Sequence, residues 1–134
     1  MAKMIDEKPS FKGEGKVWDK LNEYLPSDMV VYNQREINGR EYDFCVMAEN
    51  LGIVVIEVKG WLAEKIIVNG VDNIDVEGYE RPQTSPKKQA RVYRFAILNK
   101  ISEKYNVSPL VLDMVCYPFI SKAEYESSRL DIIS

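Results

Sequence analysis

The chain has 134 residues, of which 46% are hydrophobic and 10% aromatic, with a formal net charge of −3 and no histidine. That is enough apolar material for one core-bearing domain and argues against disorder; the charge argues against a protein that coats nucleic acid with its whole surface but leaves room for a local basic patch. Without histidine there is no Ser-His or Cys-His couple, no imidazole base and no imidazole ligand for zinc, so catalysis would fall to carboxylates, lysine and a hard metal ion.

Residues 1–10 (MAKMIDEKPS) are polar and irregular, and no apolar run approaches twenty residues. We therefore expect a flexible N-terminus over 1–10, a single domain over 11–134, no membrane association and a cytoplasmic location. Val17, Trp18, Leu21, Tyr24 and Leu25 recur at helical spacing, which predicts an amphipathic helix over 13–25 closed by Pro26-Ser27. A strand is predicted over 29–37, turning at Asn38-Gly39 into a second over 41–48. Asn50 lies in a further turn, leading into LGIVVIEVKGW, where an apolar run buried on both faces ends in Glu57, Val58 and Lys59.

Between Gly60 and Thr84 the chain is acidic and holds a second Asn-Gly pair, Asn69-Gly70, so a small accessory hairpin is expected there. Ser85-Pro86 offers a capping hydroxyl with proline in the first turn, which predicts a helix to about Tyr105. A fourth strand follows over 110–117, parallel to its predecessor if the helix is a crossover. The tail carries a short helix and then the apolar LDII; its abrupt end at Ser134 raises the expectation that the native chain continues. Cys45 and Cys116 stand apart without metal spacing and are expected to be free thiols.

Hairpin arithmetic turns this order into a site. A turn centred on Asn50 pairs residues whose numbers sum to 100, which sets Cys45 against Val55, Phe44 against Ile56 and Asp43 against Glu57, with β-carbons roughly 4.5–5.5 Å apart. A slip of one residue would set Asp43 against Val58 instead. Two carboxylates facing each other at the end of an apolar hairpin repel, and partial burial worsens the repulsion. Lys59, a shared proton or a divalent cation would each relieve it, the last as a Mg²⁺ site built from few oxygen ligands and water. Glu14 precedes Trp18, Leu21 and Leu25 by helical intervals and so faces inward, although alone it is also the charge that a first helical turn welcomes. The Asn38-Gly39 turn pairs numbers that sum to 77 and sets Gln34 against Asp43.

Asp43 followed by Glu57-x-Lys59 on adjacent strands, after a helix bearing Glu14, resembles the PD-(D/E)xK nuclease superfamily, whose core is αβββαβ. More narrowly, Gly13-Glu14, Tyr42-Asp43, GIVVIEVKGW and Ser85-Pro86-x-x-Gln89 resemble the nuclease-related domain. The resemblance implies a restriction-endonuclease-like α/β fold, a mixed sheet flanked by helices, and Mg²⁺- or Mn²⁺-dependent hydrolysis of phosphodiester bonds, in DNA by preference. It implies that Asp43, Glu57 and the Val58 carbonyl hold the ion, that Glu14 assists through water or a second ion, and that Lys59 orients the attacking water or stabilises charge. Gln89 and Tyr93 would contact metal-bound water or the substrate backbone. Tyr42 stands where the superfamily's name has proline.

The predicted second helix adds a separate clue. From Pro86 to Lys104 it carries a local balance of +5, and Lys87, Arg91 and Arg94 form one stripe suited to a phosphate backbone. A solvated helix face is the plainer reading of such a run. Trp61 is suited either to stacking on a base or to packing over the hairpin. A nucleic-acid-binding module that keeps the fold without cutting is the alternative function. RNA as substrate, a homodimer and a linked or associated helicase-like domain stay open.

Overall fold

The N-terminal segment is laid against a sheet. In a computed structural model describing residues 1–49 and 51–134, β1 (Lys3–Met4) pairs in parallel with β2 (Met29–Asn33), and Ala2 is buried. Asp6 then accepts the Asn33 N–H at 2.9 Å and two hydrogen bonds from Arg35 Nε and one from Nη2, while Asn33 Nδ2 donates to the Glu7 carbonyl at 3.0 Å. The polar residues of 1–10, read from composition as a flexible N-terminus, are here partners for the sheet edge, a role composition does not reveal.

Helix α1 (Lys12–Tyr24) matches the predicted amphipathic segment, and Val17, Trp18, Leu21 and Leu25 pack against the sheet. Tyr24, expected on that stripe, is exposed. The predicted strand over 29–37 is broken at Gln34, whose φ of 53° is left-handed. Beyond the break, β3 (Glu36–Ile37) and β4 (Arg40–Glu41) form a separate ribbon, turned by Asn38 and Gly39 at φ 50° and 79°. A left-handed non-glycine residue costs about 1–2 kcal/mol. The pairing that sums to 77 nonetheless holds through both pieces, from Met29 opposite Ala48 to Ile37 opposite Arg40.

Strands β5 (Phe44–Ala48) and β6 (Gly52–Val58) pair antiparallel in the register that sums to 100, with Phe44 opposite Ile56 and Cys45 opposite Val55. The turn at Asn50 lies outside the described residues. An accessory hairpin follows, β7 (Ile66–Gly70) with β8 (Asn73–Val76). Next come α2 (Pro86–Tyr105), capped by Ser85 Oγ accepting the Lys88 N–H, and β9 (Val111–Cys116), parallel to β6 as expected of a crossover. The chain closes with α3 (Lys122–Ser127), and the apolar tail is buried at Leu130 and Ile133.

The main sheet runs β1-β2-β5-β6-β9, and its middle strands are covered on both faces. Val31, Phe44, Val46, Ile56 and Val58 meet α1, while Cys45, Ile53, Val55 and Val111 meet α2. This double covering explains why β6 reads as an uninterrupted apolar run. Both cysteines are free thiols. Among the described residues, no helix is long and apolar enough to cross a membrane.

Candidate nuclease site

The β5–β6 ladder ends where its charges begin. One step beyond the Phe44–Ile56 pair, Asp43 Oδ2 accepts the Val58 N–H at 2.7 Å, taking over the sheet hydrogen bond that β5 no longer supplies. Lys59 Nζ stands 3.3 Å from Glu57 Oε1. Glu57 is only 7% exposed, in a place where an unpaired carboxylate would be heavily penalised.

Glu14 arrives from α1 because two glycines let the helix approach. A Cβ on Gly13 would stand 3.3 Å from the Cα of Gly60, just past the end of β6, so helix backbone meets strand backbone there. The first turn of α1 thereby overhangs the end of β6. Gln34, thrown out of β2 by its left-handed backbone, donates from Nε2 to Glu14 Oε2 at 2.9 Å, and its N–H donates to the Asp43 carbonyl at 3.0 Å. Glu14, Asp43, Glu57, Val58 and Lys59 all line one cleft of about 420 Å³.

The carboxyls perturb one another. Burial, then the neighbouring charge and hydrogen bond of Asp43, push Glu14 up to about 7. Burial and the Glu57 charge push Asp43 up to about 6, against the opposing pull of the Val58 N–H, Glu14 and Lys59. Glu57 is also raised, chiefly by burial, although Lys59 opposes the shift. All three carboxyls are thus pushed toward their protonated forms, and Lys59 supplies a facing positive charge. Carboxyls that hold protons near neutrality for want of positive charge would exchange them for a cation.

Among the described residues, no group of three or more His, Cys, Asp or Glu side chains is gathered into a ready metal cage. The donors are nonetheless hard oxygens in the number that Mg²⁺ uses, one or two carboxylates with water and substrate phosphate completing the shell. The residues present fit such an ion in kind. Val58 contributes as well: its N–H is turned toward Asp43, and in extended chain a residue's carbonyl points to the same side.

The α2 residues separate from this group, and none of the five lines the cleft. Tyr93 is near enough for the charges on Glu57 and Asp43, after burial, to raise its phenol, but its hydroxyl donates to the Glu41 carbonyl at 2.7 Å and its ring meets Tyr42 edge-on. Gln89 donates to Thr84 Oγ1 at 3.2 Å and keeps Oε1 buried without a partner. Lys87 and Arg91 are exposed. Arg94 departs from the predicted stripe: it is half-buried, paired with Asp113 of β9 at 3.1 Å and lying over Phe95. Its partner lies nineteen residues further along the chain, on a strand, which helix spacing does not reveal. Trp61 is 5% exposed and packs with Ile74, Val76, Leu130 and Ile133, which selects packing over base stacking.

Sequence reasoning left other lining residues aside. Lys12 and the aromatic residues Phe11, Tyr79 and Phe119 also border the cleft. Phe11 and Phe119 lie outside the motifs that carry the resemblance, and Tyr79 lies in the acidic segment between Gly60 and Thr84.

A mixed α/β sheet flanked by helices, with its central hairpin ending in paired carboxyls and a lysine, defines a nuclease-like domain. The chain matches the model of the nuclease-related domain family over residues 9–118, and it belongs to that family. No curated protein and no solved structure matches it.

Proposed function

We propose that this nuclease-related domain hydrolyses phosphodiester bonds with the help of Mg²⁺ or Mn²⁺, acting on DNA by preference. The observation that carries the reading is the convergence of Glu14, Asp43 and Glu57 on one cleft, with Lys59 3.3 Å from Glu57. Asp43, Glu57 and the Val58 carbonyl would hold the ion, with Glu14 assisting through water. The chemistry an ion held there would supply is polarisation of the phosphodiester and a lowered pKa for water.

The remaining roles belong to the protein's own side chains. Lys59 places its ammonium beside the reacting phosphate and stabilises the charge that grows on it in the transition state. Gln34 fixes the Glu14 carboxyl, and the Val58 N–H fixes that of Asp43, so neither must be ordered when substrate arrives. Lys87 and Arg91, exposed on α2, supply salt-sensitive attraction for the backbone. Tyr93, through the Glu41 carbonyl and the Tyr42 ring, steadies the chain leading into Asp43.

Asp43→Ala and Lys59→Ala are each expected to abolish Mn²⁺-dependent cleavage of a plasmid or labelled oligonucleotide while leaving the far-UV circular dichroism spectrum unchanged. Cleavage by Asp43→Ala at the wild-type rate would overturn the mechanism. A binding module without turnover is the second reading, favoured by the raised proton affinity of Glu14 and Asp43. Calorimetric Mn²⁺ binding without cleavage would select it.

A further inference from the structure

Phe11 and Tyr79 are placed in a way that the fold itself does not explain. Phe11 is 70% exposed and Tyr79 54% exposed, yet both border the cleft that holds Asp43, Glu57 and Lys59. Single exposed aromatics are ordinary on protein surfaces, but these two come from distant parts of the chain and share one opening. Phe11 is the N-cap of α1 and makes no side-chain capping bond, a position where Ser, Thr, Asp or Asn serves a helix far better. Tyr79 lies in the turn after β8, held by its N–H donating to the Val76 carbonyl at 3.1 Å, and among the described residues its phenol makes no hydrogen bond. Trp61 also borders the cleft, but it is 5% exposed and packed against Ile74, Val76, Leu130 and Ile133.

The shape of the site restricts what these rings meet. A cleft of about 420 Å³ is the size of a small-molecule pocket, and Glu57 is 7% exposed within it. Duplex DNA is stiff over roughly 150 base pairs and keeps its bases stacked inward. An unpaired strand bends readily and offers the face of every base to an aromatic ring. Lys12, at the same opening, adds a positive charge for the backbone.

We propose that the cleft takes an unpaired DNA strand, with Phe11 and Tyr79 stacking on bases beside the phosphate that lies over Asp43, Glu57 and Lys59. This rests on the nuclease reading and narrows its substrate to single strands and unpaired ends. Cleavage then runs faster on an unpaired strand than within a closed duplex.

The test is fluorescence anisotropy with fluorescein-labelled oligothymidylate and a blunt hairpin duplex, in EDTA so that nothing is cut. Phe11→Ala and Tyr79→Ala each weaken oligothymidylate binding about tenfold, the scale of one lost base stack. Tyr79→Phe keeps the ring and binds as the wild type does. Phe11→Ser supplies the missing capping hydroxyl, so it keeps or raises Tm while still weakening strand binding. Unchanged oligothymidylate affinity in both alanine variants overturns the inference, as does Mn²⁺-dependent cleavage of the blunt hairpin at the rate of the unpaired strand. Neither result bears on the Asp43→Ala cleavage assay, so the stacking inference and the nuclease reading fail separately.

Discussion

The β5–β6 and β7–β8 hairpins show what makes a strand register readable. In β5–β6 both faces are buried, one under α1 and the other under α2, so a slip of one residue would exchange two apolar sets. Its register follows from turn arithmetic, and it carries the chemistry. In β7–β8 burial alternates, with one face packed on Trp61, Leu130 and Ile133 and the other exposed. There Asn69-Gly70, a strong turn signal, does not make the turn. The reversal falls at Val71-Asp72, with an irregularity between Val68 and Gly70, and Asn69 Nδ2 donates to Asp75 Oδ2 at 2.8 Å. There the alternation of burial, with Ile74 and Val76 inward, sets the register, and the two-residue turn signal yields to it.

The contrast is sharpest in stability. Phe44, fully buried at the start of β5, should lose about 3–5 kcal/mol on Phe44→Ala, a large share of a small domain's total. Val76→Ala in β8 removes two methylene equivalents and should lose about 1–2 kcal/mol while leaving the proposed cleavage unaffected. Urea denaturation of both variants measures the difference; equal losses would mean that the accessory hairpin is as central to the fold as the main one.

A pH series isolates the charged end of β6. In metal-free protein, Glu14 and Asp43 keep protons that the unfolded chain releases from about 4, since their folded values are raised to about 7 and about 6. Their contribution to stability is therefore full below their unfolded values and is lost as pH rises through the folded ones. In EDTA, the Tm of the wild type should fall relative to a Glu14→Gln/Asp43→Asn variant between about pH 4 and about pH 8. Saturating Mn²⁺ should raise the wild-type Tm at the upper end and leave the variant's unmoved. A parallel course for both proteins in EDTA would show that these carboxyls are ordinary surface groups.

The smallest expected effect compares the two Asn-Gly pairs. Gly39 has φ +79°, so Gly39→Ala should destabilise by about 1 kcal/mol. Gly70 is not in the left-handed region, and a Cβ there would meet nothing within 4 Å, so Gly70→Ala should be neutral or stabilising by up to about 1 kcal/mol. Thermal unfolding of the pair reads the sign at each position, and a loss at both would contradict the turn assignment in β7–β8.

Much of the nuclease-like core was legible because its signals are local or tied to period. The apolar stripe of α1, the Ser85-Pro86 start of α2 and the Asn38-Gly39 turn each act over a few residues. Gln34 shows the limit of that reading. Its pairing number was right, but its left-handed backbone split the expected strand and sent its side chain to Glu14. Arg94 shows another: it lies on the expected helical stripe and is taken out of it by Asp113.

By itself, the sequence determined the elements, their order and the register that brings Asp43 beside Glu57, because period and turn chemistry act along the chain and double burial penalises any slip. The tertiary structure alone decided how near Glu14 comes, through the backbone contact of Gly13 and Gly60, and which aromatics face the cleft. Those outcomes depend on which distant surfaces meet, and no spacing along one segment records the other.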